Sequence, residues 1–147
     1  MPLQKNTTAP DFSMPDQDGV HHTLQELLNA GPLVLFFYPK DDSLGCTQQA
    51  CSFRDHYAEL QASGVSVAGV SRDKASSHTA FRDKHRLPYP LLTDTDGSVH
   101  KAYDVGGIFG FLTRRITYLI EEDRTILLAH EDNLKMTSHI QAVLQQL

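Results

Sequence analysis

Two cysteines are all that this chain of 147 residues carries, too few for the disulfide framework that staples small secreted domains. A structural zinc site would need two further ligands, and the eight histidines show no pair at matching spacing. Long apolar runs are missing as well. The longest, "PLVLFFYP", falls far short of the roughly 20 residues that cross a bilayer, so membrane insertion is not expected. The opening "MPLQKNTTAPDF" lacks the apolar stretch of a secretory signal, and the chain as given reads as cytoplasmic. Nor is there a block of positive charge. The 13 Lys and Arg are scattered among 18 Asp and Glu, for a net charge of −5; no face is marked for phosphate backbones, and nucleic acid is not an expected partner. With no repeats, linkers or low-complexity stretches, residues 1–147 suit one domain around a single core.

What is present alternates between two periodicities. Short apolar stretches flank Asp18-Gly19, a dipeptide suited to a tight turn, and predict an N-terminal hairpin. "LVLFFY" (33–38) is apolar throughout and ended by Pro39, as in a central strand covered on both faces. From 43 to 63, Cys46, Ala50, Phe53, Tyr57 and Leu60 fall on one helical stripe, with Gly64 as the stop. "VSVAGVS" (65–71) is a second buried-type strand, and "DKASSHTAFRDKHR" a polar helix that Asp73 could cap. "LPYPLLTDTDGSVHKAY" reads as a turn region before a short helix near 98–103. Two strands about a turn at 122–124 and a closing amphipathic helix, "MTSHIQAVLQQL", complete an α/β reading.

Both cysteines lie in "SLGCTQQAC" (43–51), inside the long helix that follows the central strand. At about 100° per residue, Cys46 and Cys51 point roughly 140° apart, with Cα atoms about 8.7 Å from each other. A disulfide needs about 7 Å or less, so a bridge requires the first turns to unwind. Cys46 stands near the helix N-terminus, where free N–H groups and the positive end of the dipole favour the ionised thiol. That is the placement of a nucleophile. The competing reading is plain packing, because free cysteine is often buried and Cys46 lies on the apolar stripe. Four intervening residues also separate the pair from the two of a thioredoxin-type motif.

"FFYPKDDSLGCTQQACSFRD", with "APDFSMPDQDG" before it and "GVSRDKASSHTAF", "LPYPLLTD" and "RRITYLIEE" after it, resembles the peroxiredoxin Q family, also called bacterioferritin comigratory protein. The likeness runs from Ala9 to about Ile120 and includes a Pro-x-x-x-Ser/Thr-x-x-Cys loop, a cysteine five positions later and a downstream arginine, all in order. It implies a thioredoxin-like fold, a central mixed sheet flanked by helices, and reduction of hydroperoxides at a peroxidatic Cys46 with no bound cofactor or metal. It further implies that Cys51 resolves the oxidised form, that thioredoxin or a similar thiol reductant restores it, and that the protein is a monomer.

The same resemblance assigns the loop proline to Pro39, the hydroxyl residue to Ser43 and the active-site arginine to Arg115. Pro39 would end the strand and shield the thiolate from water. Ser43 would either cap the helix at the N–H of Cys46 or steer a peroxide oxygen. Arg115 would stabilise thiolate and developing oxyanion with its fork of donors. Arg114 is its rival, since a one-residue shift of the strand exchanges the two faces. Gln49, at the family's polar position, would brace the arginine, or else simply face solvent. Ser43 stands where threonine is commoner and Leu44 where proline often stands, which leaves the Ser43 rotamer freer and the loop readier to unwind. Two further readings stay open: a one-cysteine peroxidase with Cys51 a bystander, and a non-catalytic redox-sensing or binding module. His21-His22, "DTDG" and "DQDG" are read as surface turns without the ligands of a calcium loop.

Overall fold

Asp16 organises the first turn. In the computed structural model, which describes residues 2–106 and 113–147, its Oδ1 accepts from the N–H of Asp18 at 2.8 Å and of Val20 at 3.0 Å. Gly19 supplies the positive φ. The expected hairpin forms as β1 (Ser13–Pro15) and β2 (His21–Thr23), paired antiparallel. A one-turn helix not foreseen from the sequence, α1 (Leu24–Leu27), follows at once; Thr23 caps it by accepting from the N–H of Glu26.

The fully apolar run becomes β3 (Leu33–Phe37), every residue of it buried. Helix α2 (Leu44–Asp55) leads into α3 (Tyr57–Ala62), then β4 (Ser66–Ser71), α4 (Ala75–His85), β5 (Leu91–Thr93), α5 (Ser98–Ala102), β6 (Ile116–Ile120), β7 (Ile126–Glu131) and α6 (Thr137–Leu144). The main sheet has the order β5-β4-β3-β6-β7, parallel from β3 to β5 and antiparallel from β3 to β7. It is the expected mixed sheet. Alternation along β3 sends Leu33, Leu35 and Phe37 to a core shared with Leu24, Leu28 and Val99. Val34 and Phe36 go to the opposite core, with Phe53, Leu60, Phe81, Ile140 and Val143. There Phe36 stacks on Phe53 at 4.8 Å and meets Tyr89 edge-on at 5.7 Å. Emptying such a site at Phe53 costs about 3–5 kcal/mol, so the C-terminal half of α2 is pinned to the sheet.

Three expectations need correction. The helix over 43–63 is two helices, because the ring Nδ1 of His56 takes the Ser52 carbonyl at 2.9 Å and the ladder breaks at His56. Asp73 does not cap α4. Its Oδ2 accepts instead from the Ser71 hydroxyl at 2.7 Å and the Asp41 N–H at 2.8 Å, leaving Lys74 at the cap position with no side-chain bond. The turn region around Pro88 and Pro90 contains β5, whose Leu91 pairs with Gly69. At the far rim, the segment before Ala9 runs along the start of β7: Asn6 N–H donates to the Ile126 carbonyl at 2.8 Å, and Ile126 N–H to the Thr7 carbonyl at 2.9 Å.

Candidate active site

Strand β3 ends at Phe37, and residues 38–43 carry the chain past the end of that central strand into α2. Asp42 takes a positive φ of 60° at the tightest point, a conformation Asp tolerates better than most residues. The first turn of α2 opens with Thr47 N–H donating to the Ser43 carbonyl at 2.8 Å; the N–H groups ahead of it have no acceptor within the helix. Ser43 occupies the cap position without capping. Its hydroxyl turns back to the Lys40 carbonyl at 3.0 Å, so the proposed bond to Cys46 N–H is replaced by one that closes the loop on itself.

Helix α2 is wound and both thiols are free. Cys46 is fully buried, in the core cluster that also holds Ala50, Phe53 and Leu119. It is not isolated among hydrocarbon. Nη1 of Arg115 donates to its Sγ at 3.0 Å, and the same nitrogen reaches Gln49 Oε1 at 3.4 Å. Cys46, Gln49 and Arg115 therefore meet. The Nε2 amide of Gln49 is buried and has no hydrogen-bond partner among the described residues. Arg114, the rival, points away, donating to the Asp104 carbonyl and to Glu131 at 3.3 Å.

Arg115 is aimed from behind. Its backbone N–H donates to Asn133 Oδ1 at 2.9 Å, and its carbonyl accepts from Asp132 N–H at 3.2 Å. The N–H groups of Lys135 and Leu134 hold the Asp132 carboxyl well below the usual carboxylate range. His139, fully buried on α6, donates through Nε2 to the Asp132 carbonyl at 2.8 Å and accepts at Nδ1 from the Thr117 hydroxyl. Burial pushes this imidazole down to about 4, with the Arg115 charge adding to the effect. The chain also comes close on the helix side: a Cβ placed on Gly45 would lie 2.9 Å from Nη2 of Arg115. Neither Asn133 nor His139 stands out in the sequence, since each acts on Arg115 from a different element.

Cys51 lies on another side of α2. It is half-buried in a groove of about 450 Å³ lined by Gln48, Asp55, Leu134 and Met136. Burial raises its thiol above the ordinary value, partly offset by Arg54. Pro39 is half-buried two residues past the end of β3. Asp41, Asp73 and His78 form the one group among the described residues that brings metal-type ligand atoms together, within 4.8 Å. Those atoms are already engaged by protein partners: Asp41 Oδ2 by His78 and Ser77, Asp73 Oδ2 by Ser71 and the Asp41 N–H.

A family model described as AhpC/TSA matches residues 6–129. The chain belongs to the AhpC/TSA family. Within it, the chain is 38% identical over 144 residues to the chloroplastic peroxiredoxin Q of Gentiana triflora, covering 97% of this chain and 66% of that protein. It is 37% identical over 146 residues to the chloroplastic peroxiredoxin Q of Sedum lineare, covering 99% and 78%. The chain thus spans about two thirds of the Gentiana protein. Among solved structures, the peroxidoxin BcpB of Mycobacterium tuberculosis superposes with a TM-score of 0.91 at 36% identity, covering 97% of this chain and 95% of that one. The Xanthomonas campestris bacterioferritin comigratory protein, solved for insight into its alkyl peroxide reduction activity, does so at 0.83 with 29% identity, covering 92% and 88%. Peroxiredoxin Q membership and the thioredoxin-like architecture inferred from the motifs both hold.

Proposed function

We propose that this peroxiredoxin reduces hydrogen peroxide and organic hydroperoxides at Cys46. The observation that carries the reading is the 3.0 Å contact from Arg115 Nη1 to Cys46 Sγ at the N-terminal turn of α2. The thiolate attacks the terminal peroxide oxygen; an S–O bond forms, the O–O bond breaks, and the departing oxygen takes a proton to leave as water or an alcohol. Arg115 and the free N–H groups at the start of α2 stabilise the negative charge as it moves to that oxygen. Gln49 braces Arg115 through Oε1, and its unpaired Nε2 is a donor ready for an oxygen atom that arrives with substrate. Pro39 limits water at the site, and Ser43 orients the peroxide once its hydroxyl leaves Lys40.

The sulfenic acid is then resolved by Cys51. The start of α2 unwinds, the Cys51 sulfur displaces water from Cys46, and a dithiol of the thioredoxin type returns both to thiols by exchange. The wound helix separates the two steps, because a half-buried Cys51 with a raised titration point is a poor nucleophile until it is released. The protein works as a monomeric single domain in a reducing compartment, which we take to be the cytoplasm. No helix among the described residues is long and apolar enough to cross a membrane.

The test is peroxide consumption with thioredoxin, thioredoxin reductase and NADPH. Wild type turns over, Cys46→Ser does not, and mass spectrometry after one equivalent of peroxide finds an internal disulfide. Turnover in Cys46→Ser rejects the assignment. An oxidised wild type that turns over without a disulfide favours the one-cysteine reading, and stoichiometric oxidation without turnover favours a sensor.

A further inference from the structure

A second buried cluster grips the loop that delivers Cys46. Asp41 is nearly enclosed, and four groups converge on it, one from its own loop, one from the segment before α4 and two from α4. Its Oδ1 accepts from the Tyr38 hydroxyl at 2.7 Å, and its Oδ2 from the Ser77 hydroxyl at 2.9 Å. The Nδ1 of His78, itself fully buried, lies 2.7 Å from the same Oδ2. The Asp41 N–H donates to Asp73 Oδ2 at 2.8 Å. Nε2 of His78 faces the Leu92 carbonyl at 3.1 Å and must donate to it, which leaves Nδ1 and Oδ2 sharing one proton. The next residue contrasts sharply. Asp42 pairs with Lys84 and His85 in the open, where such pairs hold weakly.

A matching anchor stands beyond Cys46, on either side of Cys51. The buried Tyr89 hydroxyl donates to the Ala50 carbonyl at 2.6 Å, and Arg54 Nη1 to the His85 carbonyl at 2.8 Å. Between these two anchors, residues 42–49 include Leu44, which is 79% exposed, and the uncapped start of α2. Both cysteines have to approach each other within this stretch and its edge.

We infer that His78 is a positioning residue that acts through Asp41 to hold the 38–41 segment fixed, so that the chain rearranges from Asp42 onward, through the start of α2, and no further back. This deepens the resolution step proposed above and rests on it. The clamp presents Ser43 and Cys46 in one geometry for peroxide and confines the rearrangement that follows. Removing the imidazole leaves a buried carboxylate with hydroxyl partners alone, and the segment shifts toward water.

The experiment compares wild type, His78→Leu, His78→Asn and Ser77→Ala, each reduced and mixed with hydrogen peroxide in a quenched-flow apparatus. Trapping and mass spectrometry then count sulfenic acid and disulfide separately. His78→Leu slows oxidation of Cys46 by about 10- to 100-fold, the scale of a catalytic group displaced by up to 1 Å, while disulfide closure is unchanged or faster. His78→Asn, whose amide can still donate to Asp41, recovers most of the first rate, and Ser77→Ala gives a smaller loss in the same direction. General destabilisation moves amplitudes, not this ratio of rates. Amide exchange on oxidised wild type rises over 42–50 and stays protected at Tyr38 and Asp41. A folded His78→Leu with wild-type oxidation, or exchange that spreads back through Tyr38, overturns the inference. If His78→Leu does not fold, Ser77→Ala and the exchange map decide. Absence of any disulfide in wild type fails the resolution reading instead, and is seen directly in the same spectra.

Discussion

Adding one methyl group at Gly45 separates catalysis from stability. The residue lies in the first turn of α2, and a Cβ there would stand 2.9 Å from Nη2 and 3.2 Å from Cζ of Arg115, with Met136 Sδ behind at 3.5 Å. No real Cβ sits that close, so the guanidinium must retreat by several tenths of an ångström. Because it is the end of a flexible side chain, the retreat costs little in folding, and alanine is the better helix former by up to about 1 kcal/mol. The Cys46 sulfur is another matter, since its donor on Arg115 is only 3.0 Å away. Misplacing that donor by up to 1 Å costs about 10- to 100-fold, or about 1.4–2.7 kcal/mol of barrier. Gly45→Ala should therefore react with hydrogen peroxide 10- to 100-fold more slowly, by roughly that estimate, while its urea midpoint stays level or rises. Rapid-mix oxidation of the reduced protein and equilibrium unfolding measure the two quantities independently. A wild-type rate would refute the claim that Arg115 alignment governs the first step; a loss of rate and stability together would make Gly45 structural.

Other outcomes follow from the same geometry. Arg115→Met should lower the rate of Cys46 oxidation by about 10²–10³, the scale of a lost oxyanion donor, whereas Arg114→Met leaves it unchanged because that side chain is spent on Glu131 and the Asp104 carbonyl. Ser43→Ala should cost less than the ~1 kcal/mol of a lost helix cap, since its hydroxyl closes the loop at Lys40; urea titration detects the difference. His139 is held down to about 4 by burial, so between that value and the ordinary 6.5 the unfolded chain binds a proton that the folded chain refuses. Stability is then lost as pH falls through this window and levels off below it, by up to about 3 kcal/mol from this residue. His139→Gln, which keeps a donor for the Asp132 carbonyl, should flatten the dependence of the urea midpoint between about pH 4 and 6.5, the window set by that shift.

How much of this was visible beforehand depended on how far each residue's partners lay along the chain. The run at Leu33–Phe37 reveals its double burial by itself, and Asp18-Gly19 reveals a turn. The meeting of Cys46 with Arg115 came from the motif, not from periodicity, since 69 positions separate them. Asp73 stands where local grounds put a helix cap, and Ser43 where the motif allows a cap or a peroxide-steering hydroxyl, yet both have their oxygens claimed by other groups, one by Lys40 and one by Asp41. The three residues of β5 carry too little pattern to show between two prolines; they form a strand because β4 offers an open edge. The helix break at His56 depends on one ring reaching a carbonyl, which no propensity scale anticipates.

The opening segment that lies along β7 has a practical side. A bare outer strand invites other molecules to add on in register, and here Asn6 and Thr7 already occupy the donor and acceptor of Ile126. The molecule thereby hems the start of its own border, at Ile126. Trimming or fusion that lifts those few residues away would unpick the seam, and its first symptom would be slowly growing assemblies in a preparation whose fold is otherwise intact.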